Sequence, residues 1–417
     1  MQASSLTRRP GWLSFAWWVA GAALMLLLGS SVAWGLPTLQ QLNQAQLMLA
    51  GALLAYGLSV VVTRRASAVN IGMIQSTMAM VTGTAAFGVV AALLLFSRTY
   101  YSRSFLLTAT VVTLVWLVVG RILKYRLFPP TLAFQQGSVR PEALKLSRVK
   151  WVPIQSPMQL PASVDAVVVN REFDDPDWQR FQAQCEVGGL PVLHGPLVSE
   201  QLTGRVSLRW LSSGHLTDLQ PHPVYALFKR LLDITLVVLM TPVIFPIGLV
   251  VALAIKLDST GPIFFIQDRV GQGGRLFPMV KFRSMRIDAE EDGAQFAVTS
   301  DNRITRVGRF IRRVRLDELP QFWNVLRGQM SLIGPRPEQP AFVKRFENAI
   351  PFYGYRHLVR PGITGWAQVM QGYAASDDAT REKLEYDFYY AKYCSIWFDL
   401  LIIFRTWRVM VMGFGAR

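Results

Sequence analysis

Cysteine and histidine are scarce in this sequence. Only Cys185 and Cys394 occur in the 417 residues, together with four histidines. Two cysteines exclude a disulfide framework and a cysteine metal site. Acidic residues are also few, 27 against 43 lysines and arginines, which leaves a net charge of +16. We therefore expect anionic partners, namely phosphates or acidic lipid headgroups, and no nucleic acid, because no nucleic-acid motif accompanies the basic residues.

Charge is missing from long stretches of the N-terminal part, although apolar residues make up 51% of the chain. Four apolar runs lie at residues 12–36, 45–63, 71–96 and 104–123. Each is close to the roughly 20 residues that a transmembrane helix needs, and we interpret the first as an anchor and not as a cleaved signal peptide. None contains an acidic residue or a histidine, which argues against a proton or ion path.

Lysines and arginines around these runs predict the topology of the four-helix unit, residues 1–129. The positive-inside rule places both ends of the unit in the cytoplasm, with Arg98 and Arg103 as mild exceptions.

The following segment, 130–220, is polar and contains short apolar strands. Val164–Val169 and Leu190–Leu193 predict strands, and Pro176–Cys185 predicts a helix, so we expect a small, degenerate Rossmann-like α/β module without a glycine-rich phosphate loop. A spacer or dimerisation role is the simpler interpretation of this module.

A fifth apolar run, Leu231–Ile255, has unusual features. Asp233 lies near its start, and Pro242 and Pro246 interrupt its middle, where an interior proline bends a helix. Basic residues flank both ends, so both ends are expected in the cytoplasm. A helix that breaks at Thr241 and Pro242 and leaves by the face it entered, over residues 229–256, satisfies all these features. The alternative is a proline-kinked helix that spans the membrane.

Two short apolar strands then flank Gly271-Gln-Gly-Gly274, which is typical of a β-hairpin. On the second strand Lys281 and Arg283 alternate with Phe282 and should share one face. Two basic residues on one face suit a diphosphate, although a solvated face explains them equally well. At the end of the chain, Ile396–Met412 predicts an amphipathic helix that lies at the membrane interface or packs on the core of the preceding domain.

The most informative stretch is 310–337, where adjacent carboxylates, Asp317 and Glu318, follow three arginines and precede Arg336. Apolar spacing predicts a helix from Asp317 to Gly328, with Pro320 in its first turn. A carboxylate among arginines can attack phosphorus, and two adjacent carboxylates can share a Mg²⁺ with a phosphate. The alternative is an ordinary helix N-terminus, with Asp317 as its cap.

Five motifs now stand in one order along the chain: Thr241-Pro242, Lys281-Phe-Arg-Ser-Met285, Leu316-Asp-Glu-Leu319, Gly334-Pro-Arg-Pro337 and Arg360-Pro-Gly-Ile-Thr-Gly-Trp-Ala-Gln368. Together they resemble the bacterial sugar transferase family, the monotopic polyprenyl-phosphate hexose-1-phosphate transferases. The resemblance covers roughly residues 222–417. The preceding helices and module resemble its long-form members, the undecaprenyl-phosphate glucose or galactose phosphotransferases.

This resemblance implies transfer of a hexose 1-phosphate from a UDP-hexose to undecaprenyl phosphate, with release of UMP, at the start of exopolysaccharide, capsule or O-antigen synthesis. It implies that Asp317 is the nucleophile and that Glu318 is its partner, the two also holding Mg²⁺. Lys281, Arg312 and Arg336 would then hold phosphoryl oxygens, and Arg283 is a further candidate. The fold class implied is a membrane protein with a mainly helical catalytic domain, residues 221–417, on the cytoplasmic face of the bacterial inner membrane.

Two alternatives remain. A non-catalytic membrane scaffold would need neither the Asp317–Glu318 dyad nor Lys281. A polytopic transferase without a covalent intermediate would need more spanning segments than the sequence supplies. We expect glucose or galactose as the sugar and a homodimer formed through residues 1–220.

Overall fold

The computed structural model describes residues 11–35, 38–66, 73–97, 101–136, 138, 149–157, 164–169, 175–208, 211, 219–286, 303–371 and 377–412. The chain divides into two compact units, Met1–Gly204 and Arg205–Arg417. The boundary follows Gly204 because the next residues bind helix 377–393 of the second unit. Arg205 forms a 2.7 Å ion pair with Glu382, and the Val206 amide donates to the Glu385 carbonyl. The predicted domain boundaries at residues 129 and 220 stay predictions.

The four apolar runs of the first unit form helices, as predicted. Its N-terminal helices are α1 (Gly11–Trp34), α2 (Leu39–Gln44), α3 (Gln46–Ala66), α4 (Met73–Phe96) and α5 (Arg103–Leu127). The short helix α2 was not predicted, and Thr38 begins it by accepting a hydrogen bond from the Gln41 amide. Among the described residues, the segments long and apolar enough to cross a membrane are Phe15–Trp34, Gln46–Thr63, Arg103–Leu123 and Pro223–Asp258, and Thr82–Phe96 is a shorter apolar segment.

Tight contacts hold these helices together while their outer surfaces stay apolar. Helix α1 packs against α5, and α3 packs against α4. The Tyr56 hydroxyl donates to the Trp18 carbonyl, and a Cβ on Gly21 would lie 2.3 Å from Tyr56, so glycine is required at this crossing. Exposed side chains such as Leu54 and Leu107 cover the outside of the bundle. A helix that is apolar on all sides suits a lipid environment.

The predicted α/β module is a four-stranded parallel sheet in the order β2-β1-β3-β4. Its elements are β1 (Thr131–Gln135), β2 (Lys150–Ile154), β3 (Ala166–Val169), α6 (Pro176–Val187), β4 (Val192–His194) and α7 (Gly195–Thr203). Strand β3 is buried on both faces because Val167 packs towards α6 and Val168 towards α7. Strands β1 and β2 were not predicted, and Gly137, the nearest approach to a phosphate-loop glycine, lies outside the described residues.

The second unit is mainly helical and contains the predicted hairpin. Its elements are α8 (Pro223–Asp258), β5 (Phe264–Val270), β6 (Leu276–Phe282), α9 (Arg306–Arg313), α10 (Gln321–Leu326), β7 (Ser331–Ile333), α11 (Pro340–Ala349), β8 (Gly362–Thr364), α12 (Trp366–Met370), α13 (Asp377–Tyr393) and α14 (Ile396–Met412). Strands β5 and β6 are antiparallel, and their turn needs glycine because Gly273 and Gly274 have φ of 67° and 73°.

Helix α8 corrects the prediction of a break at Thr241 and Pro242. The chain stays helical through both prolines. A proline removes one hydrogen bond without ending a helix, and the Thr241 hydroxyl donates to the Val237 carbonyl at 2.8 Å beside Pro242.

Both halves of α8 pack on the same folded region. Before the prolines, Val237 joins a cluster with Phe277 and Met279; after them, Val251 joins a cluster with Phe282. The turns between these contacts are apolar and exposed, as the 70% exposure of the Phe245 side chain illustrates.

A buried ionic cluster fixes the first half of α8. Lys229 lies 2.7 Å from Asp399 of α14, and the hydroxyls of Tyr225 and Tyr390 donate to the same carboxylate. Asp233 accepts a 2.7 Å hydrogen bond from the Ser331 hydroxyl at the start of β7. The side chains of Lys229 and Asp399 are only 14% and 6% exposed, so removal of the Lys229 charge leaves the Asp399 carboxylate buried without a cation.

We expect Lys229→Met to destabilise the protein by about 3 kcal/mol, because it leaves Asp399 buried without a cation. For a unit of this size, this change lowers the thermal midpoint by roughly 6–12 °C. The measurement is thermal unfolding of the full-length protein in detergent. The control is Lys256→Met near the other end of α8, where the ammonium is exposed and, within the described part of the chain, donates to the Gly261 carbonyl. Equal midpoints for the two variants would contradict the assigned role of Lys229.

Candidate active site

The two adjacent carboxylates lie in a sharp turn between two helices. Helix α9 ends at Arg313, and Arg315 adopts a left-handed conformation with φ of 57°. A 3₁₀ turn, Leu316–Glu318, follows, and α10 begins only at Gln321. The predicted helix from Asp317 to Gly328 is therefore wrong at both ends. Pro320 immediately precedes α10, where its missing amide costs nothing.

Glu318 is the charged partner of Arg336. Its side chain is only 8% exposed and lies 3.0 Å from the Arg336 guanidinium and 3.7 Å from the Arg315 guanidinium. Burial raises the pKa of a carboxyl group, but the positive charges of Arg336, Lys281 and Arg315 outweigh burial here and hold the pKa of Glu318 below its usual range. Glu318 is therefore a fixed negative charge beside Asp317.

The pKa of Asp317 is shifted in the opposite direction. Burial, and then the negative charge of Glu318, raise its pKa to about 6, although Lys281, Arg312 and Arg336 pull it downwards. Within the described part of the chain, Asp317 forms neither an ion pair nor a side-chain hydrogen bond. Because its pKa of about 6 still lies below neutral pH, Asp317 is mostly ionised there, and its carboxylate is available to react.

Lys281 reaches the carboxylates from the β5–β6 hairpin. Its strand register pairs it with Phe265 and places it on the hairpin face that also carries Arg269. Burial and the charge of Arg336 lower the pKa of Lys281 to about 8, although Glu318 and Asp317 favour its charged form. Lys281 makes no hydrogen bond or ion pair with any described residue, so its ammonium is available to a phosphate.

The remaining predicted basic residues differ from one another. Arg312, in the last turn of α9, acts electrostatically on Asp317, as predicted from its position in the sequence. Arg283 does not belong with this group. Its side chain is buried and donates to the carbonyls of Ser259 and Thr260, just beyond the end of α8. We therefore correct the prediction that Arg283 binds substrate, because its guanidinium already fixes the end of that helix.

Two motifs dock against each other to hold Arg336. Strands β7 and β8 pair, and the Gly362 amide donates to the Pro335 carbonyl at 2.9 Å. A Cβ on Gly334 would lie 2.3 Å from the Arg360 carbonyl oxygen, so glycine permits this close approach. The buried Arg356 then donates to the Arg336 carbonyl and to the Asp387 carboxylate, both at 2.9 Å. Arg336 thus has both its backbone and its guanidinium fixed.

Three site residues were not predicted, Arg269, Glu338 and Arg356, whereas Arg315 is one of the three arginines noted before the carboxylates. Arg269 lies on the Lys281 face of the hairpin, donates to the Pro337 carbonyl and helps to lower the pKa of Lys281. Lys383 and Arg356 hold the pKa of the buried Glu338 at about 2. Alternation along β5 could have indicated Arg269, but the sequence around Arg356 gives no signal.

The carboxylates allow a test of the predicted Mg²⁺ site. Among the described residues, no group of three or more histidine, cysteine, aspartate or glutamate side chains could hold a metal ion. Mg²⁺ commonly uses one or two carboxylates together with substrate phosphates and water. Asp317 fits this pattern, because its carboxylate has no cation partner among the described residues and lies beside the like charge of Glu318.

The apolar helices, the exposed middle of α8 and the carboxylate pair among basic side chains define a membrane protein with a site for phosphate chemistry. A family model described as bacterial sugar transferase matches residues 224–413.

Similar proteins match over longer or shorter parts of the chain. The chain is 48% identical over 342 residues to the Aeromonas hydrophila UDP-N-acetylgalactosamine-undecaprenyl-phosphate N-acetylgalactosaminephosphotransferase, covering 81% of this chain and 80% of that protein. It is 39% identical over 223 residues to the Escherichia coli (strain K12) UDP-glucose:undecaprenyl-phosphate glucose-1-phosphate transferase, covering 53% of this chain and 44% of that protein. The Caulobacter vibrioides protein of the same name is 43% identical over 190 residues, 45% of this chain and 70% of that protein. The chain therefore belongs to the bacterial sugar transferase family.

The raised pKa of Asp317 makes a prediction about stability. The folded protein holds more protons than the unfolded chain between pH about 4 and 6, so its stability falls as the pH rises through this window. Asp317→Asn removes the ionised group and should stabilise the folded protein by about 1–3 kcal/mol at pH 7.5, with a much smaller effect at pH 4.

Thermal unfolding of both proteins at the two pH values measures this difference. Asp268→Asn, a change at an exposed carboxylate on β5, is the matched control and should be neutral at both pH values. Destabilisation by Asp317→Asn at pH 7.5 would show that Asp317 is an ordinary structural group.

Proposed function

We propose that the protein transfers a sugar 1-phosphate from a UDP-sugar to undecaprenyl phosphate, releases UMP and thereby begins the synthesis of a surface polysaccharide. One observation carries the proposal. Asp317 is desolvated, has a pKa of about 6 and lacks a cation partner among the described residues, while Lys281, Arg312 and Arg336 lie around it. Family membership and the names of the relatives agree with this chemistry.

The proposed reaction has two displacements. A carboxylate oxygen of Asp317 attacks the sugar-bearing phosphorus of the UDP-sugar, the bond from that phosphorus to the bridging oxygen breaks, and UMP leaves with that oxygen. An oxygen of undecaprenyl phosphate then attacks the same phosphorus, which releases the Asp317 carboxylate and forms the lipid diphosphate sugar. Each step brings an anion to an anion, so neutralisation of charge by fixed cations is the main contribution expected of the protein.

The site residues divide these tasks. Arg336 is held in place by Glu318 and Arg356, so its guanidinium is preorganised. Lys281 and Arg312 are without partners among the described residues and can bind the phosphoryl oxygens that develop charge. Glu318 keeps the carboxyl of Asp317 from forming an ion pair with Arg336. Asp317 and Glu318 would hold Mg²⁺, which when bound supplies further positive charge to the diphosphate.

The membrane placement of the site follows from α8. We propose that α8 enters and leaves the bilayer by its cytoplasmic face, so that the catalytic unit is monotopic. Both halves of α8 pack on the same folded region, and the exposed turns between them, which include Val243, Phe245 and Leu249, are apolar. A helix that crossed the bilayer would place these two contacts on opposite sides of the membrane.

The relatives suggest the sugar. The Aeromonas hydrophila protein, named for N-acetylgalactosamine, matches over 81% of this chain, whereas the Escherichia coli protein, named for glucose, matches over 53%. We therefore propose UDP-N-acetylgalactosamine first and UDP-glucose second, in place of the glucose or galactose expected from the motifs alone. Incubation of the purified protein with undecaprenyl phosphate and each UDP-sugar, with UMP release as the readout, tests the activity and ranks the sugars.

The covalent intermediate gives a sharper prediction. Enzyme and UDP-sugar without lipid should release at most about one UMP per active site and retain the sugar phosphate, because the first displacement stops at the acyl phosphate. Asp317→Asn should abolish both signals and lower turnover by several orders of magnitude. Intact-protein mass spectrometry detects the adduct. Turnover by Asp317→Asn near the wild-type rate would leave direct transfer or a non-catalytic scaffold as the remaining interpretations.

Topology is tested separately. In a variant without Cys185 and Cys394, single cysteines replace the exposed Gln220 and Asp268, one on each side of α8. Both should resist a membrane-impermeant maleimide in intact cells, because both are expected in the cytoplasm. A cysteine at Gln40, in the predicted external loop, should react and serves as the positive control. Labelling at position 268 but not at position 220 would show that α8 spans the membrane.

A further inference from the structure

An exposed basic face of α9 has no role in the reaction as described above. Arg306, Arg309 and Arg313 are exposed, and they lie three to four residues apart, which places them on one side of the helix. Phe310 lies among them with 60% of its side chain exposed. None of the three arginines forms an ion pair or hydrogen bond with any residue that the structure describes. A cationic face that includes an exposed aromatic ring suits the interfacial region of a membrane.

The position of α9 relative to α8 supports this interpretation. The Val307 amide donates to the Asp258 carboxylate at the end of α8, and Ile311 packs in one cluster with Val251 and Ile255. After Asp233, the first charged residue of α8 is Lys256. Helix α9 therefore lies beside the last turns of α8, where the uncharged stretch ends and lipid phosphates are expected.

The basic face also adjoins the reacting carboxylates. Arg309 and Arg312 are neighbours at a spacing of three residues, and Arg312 is the residue of α9 whose charge acts on Asp317. A phosphate that binds the exposed face can therefore move from one arginine to the next towards the dyad without leaving a positive field. Bulk phospholipid headgroups share this chemistry, but a path that ends at the dyad favours the acceptor.

We propose that Arg306, Arg309 and Arg313, with Phe310, form a docking surface for the phosphate head of the polyprenyl phosphate acceptor, and that the surface passes this phosphate to Arg312. The proposal rests on the proposed function, because it assigns a step to the second displacement. The surface acts on lipid phosphate before reaction and has no part in the attack of Asp317 on the UDP-sugar.

The test uses full-length protein in zwitterionic nanodiscs with a varied mole fraction of undecaprenyl phosphate. Arg309→Gln with Arg313→Gln should raise the apparent KM for the lipid acceptor by about five- to thirtyfold, since each basic residue near an anionic surface contributes measurably to its binding. The UMP released without lipid, and the KM for the UDP-sugar, should stay at wild-type values. The matched control removes two exposed charges elsewhere, Arg275→Gln with Lys344→Gln, and should leave all three quantities unchanged.

Each contrary outcome has its own meaning. An unchanged acceptor KM overturns the proposal, and so does an equal loss of lipid-free UMP release, which would place the arginines in donor binding. A lower thermal midpoint with unchanged acceptor KM would show that these arginines pair with other parts of the chain. Absence of lipid-free UMP release in the wild-type protein would instead contradict the covalent mechanism, and the acceptor KM comparison would still stand.

A final experiment distinguishes binding of the acceptor from binding of bulk anionic lipid at this surface. Phosphatidylglycerol added at constant undecaprenyl phosphate should compete for the basic face and raise the acceptor KM of the wild-type protein more than that of the double variant. If phosphatidylglycerol instead stimulates the wild-type protein and not the variant, bulk anionic headgroups occupy the surface and the acceptor assignment is overturned.

Discussion

The ion pair between Glu318 and Arg336 is the contact on which the rest of the site depends. It neutralises one of two adjacent carboxylates and leaves the other, Asp317, without a cation among the described residues. Burial, and then the negative charge of the paired Glu318, still raise the pKa of Asp317. Two chemically similar groups thus acquire different properties from their different surroundings.

That ion pair needs a rigid support, which lies in the backbone. The close approach of β7 and β8 is possible only because Gly334 and Gly362 carry no side chains. Arg356 then joins the Arg336 carbonyl to Asp387 of α13, in a cluster from which water is nearly excluded. Ion pairs buried in this way contribute little net stability, but they fix side-chain geometry, and geometry is what phosphoryl transfer requires.

A second constraint comes from α8, whose exposed apolar turns are held on the folded unit that contains the site. Lys229 and Asp233 attach its first half to α14 and β7, while Asp258 attaches its end to α9. The apolar turns between these contacts can enter lipid only together with the folded unit to which both ends are fixed. In the proposed arrangement, the depth of the carboxylate pair is therefore set by the length of helix that the second unit leaves exposed.

The sequence by itself determined the elements with strong periodic signals: the four apolar helices, the β5–β6 hairpin, strand β3 and helix α6. It also determined the candidate pair Asp317 and Glu318 and the nearby Lys281, Arg312 and Arg336, because these residues lie in distinctive motifs. Local pattern placed the start of α10 too early. It also predicted a break in α8 where the helix continues, and it assigned Arg283 to substrate binding.

Only the tertiary structure decided which of these charges meet. Arg283 and Lys281 are two residues apart, yet one binds the end of α8 and the other lies near the dyad. Arg356 reaches the site from a stretch without a motif, and Arg269 reaches it from the other strand of the hairpin that carries Lys281. Burial and pairing set the charge and the pKa of each group, and both depend on contacts between residues far apart in sequence, which local spacing does not encode.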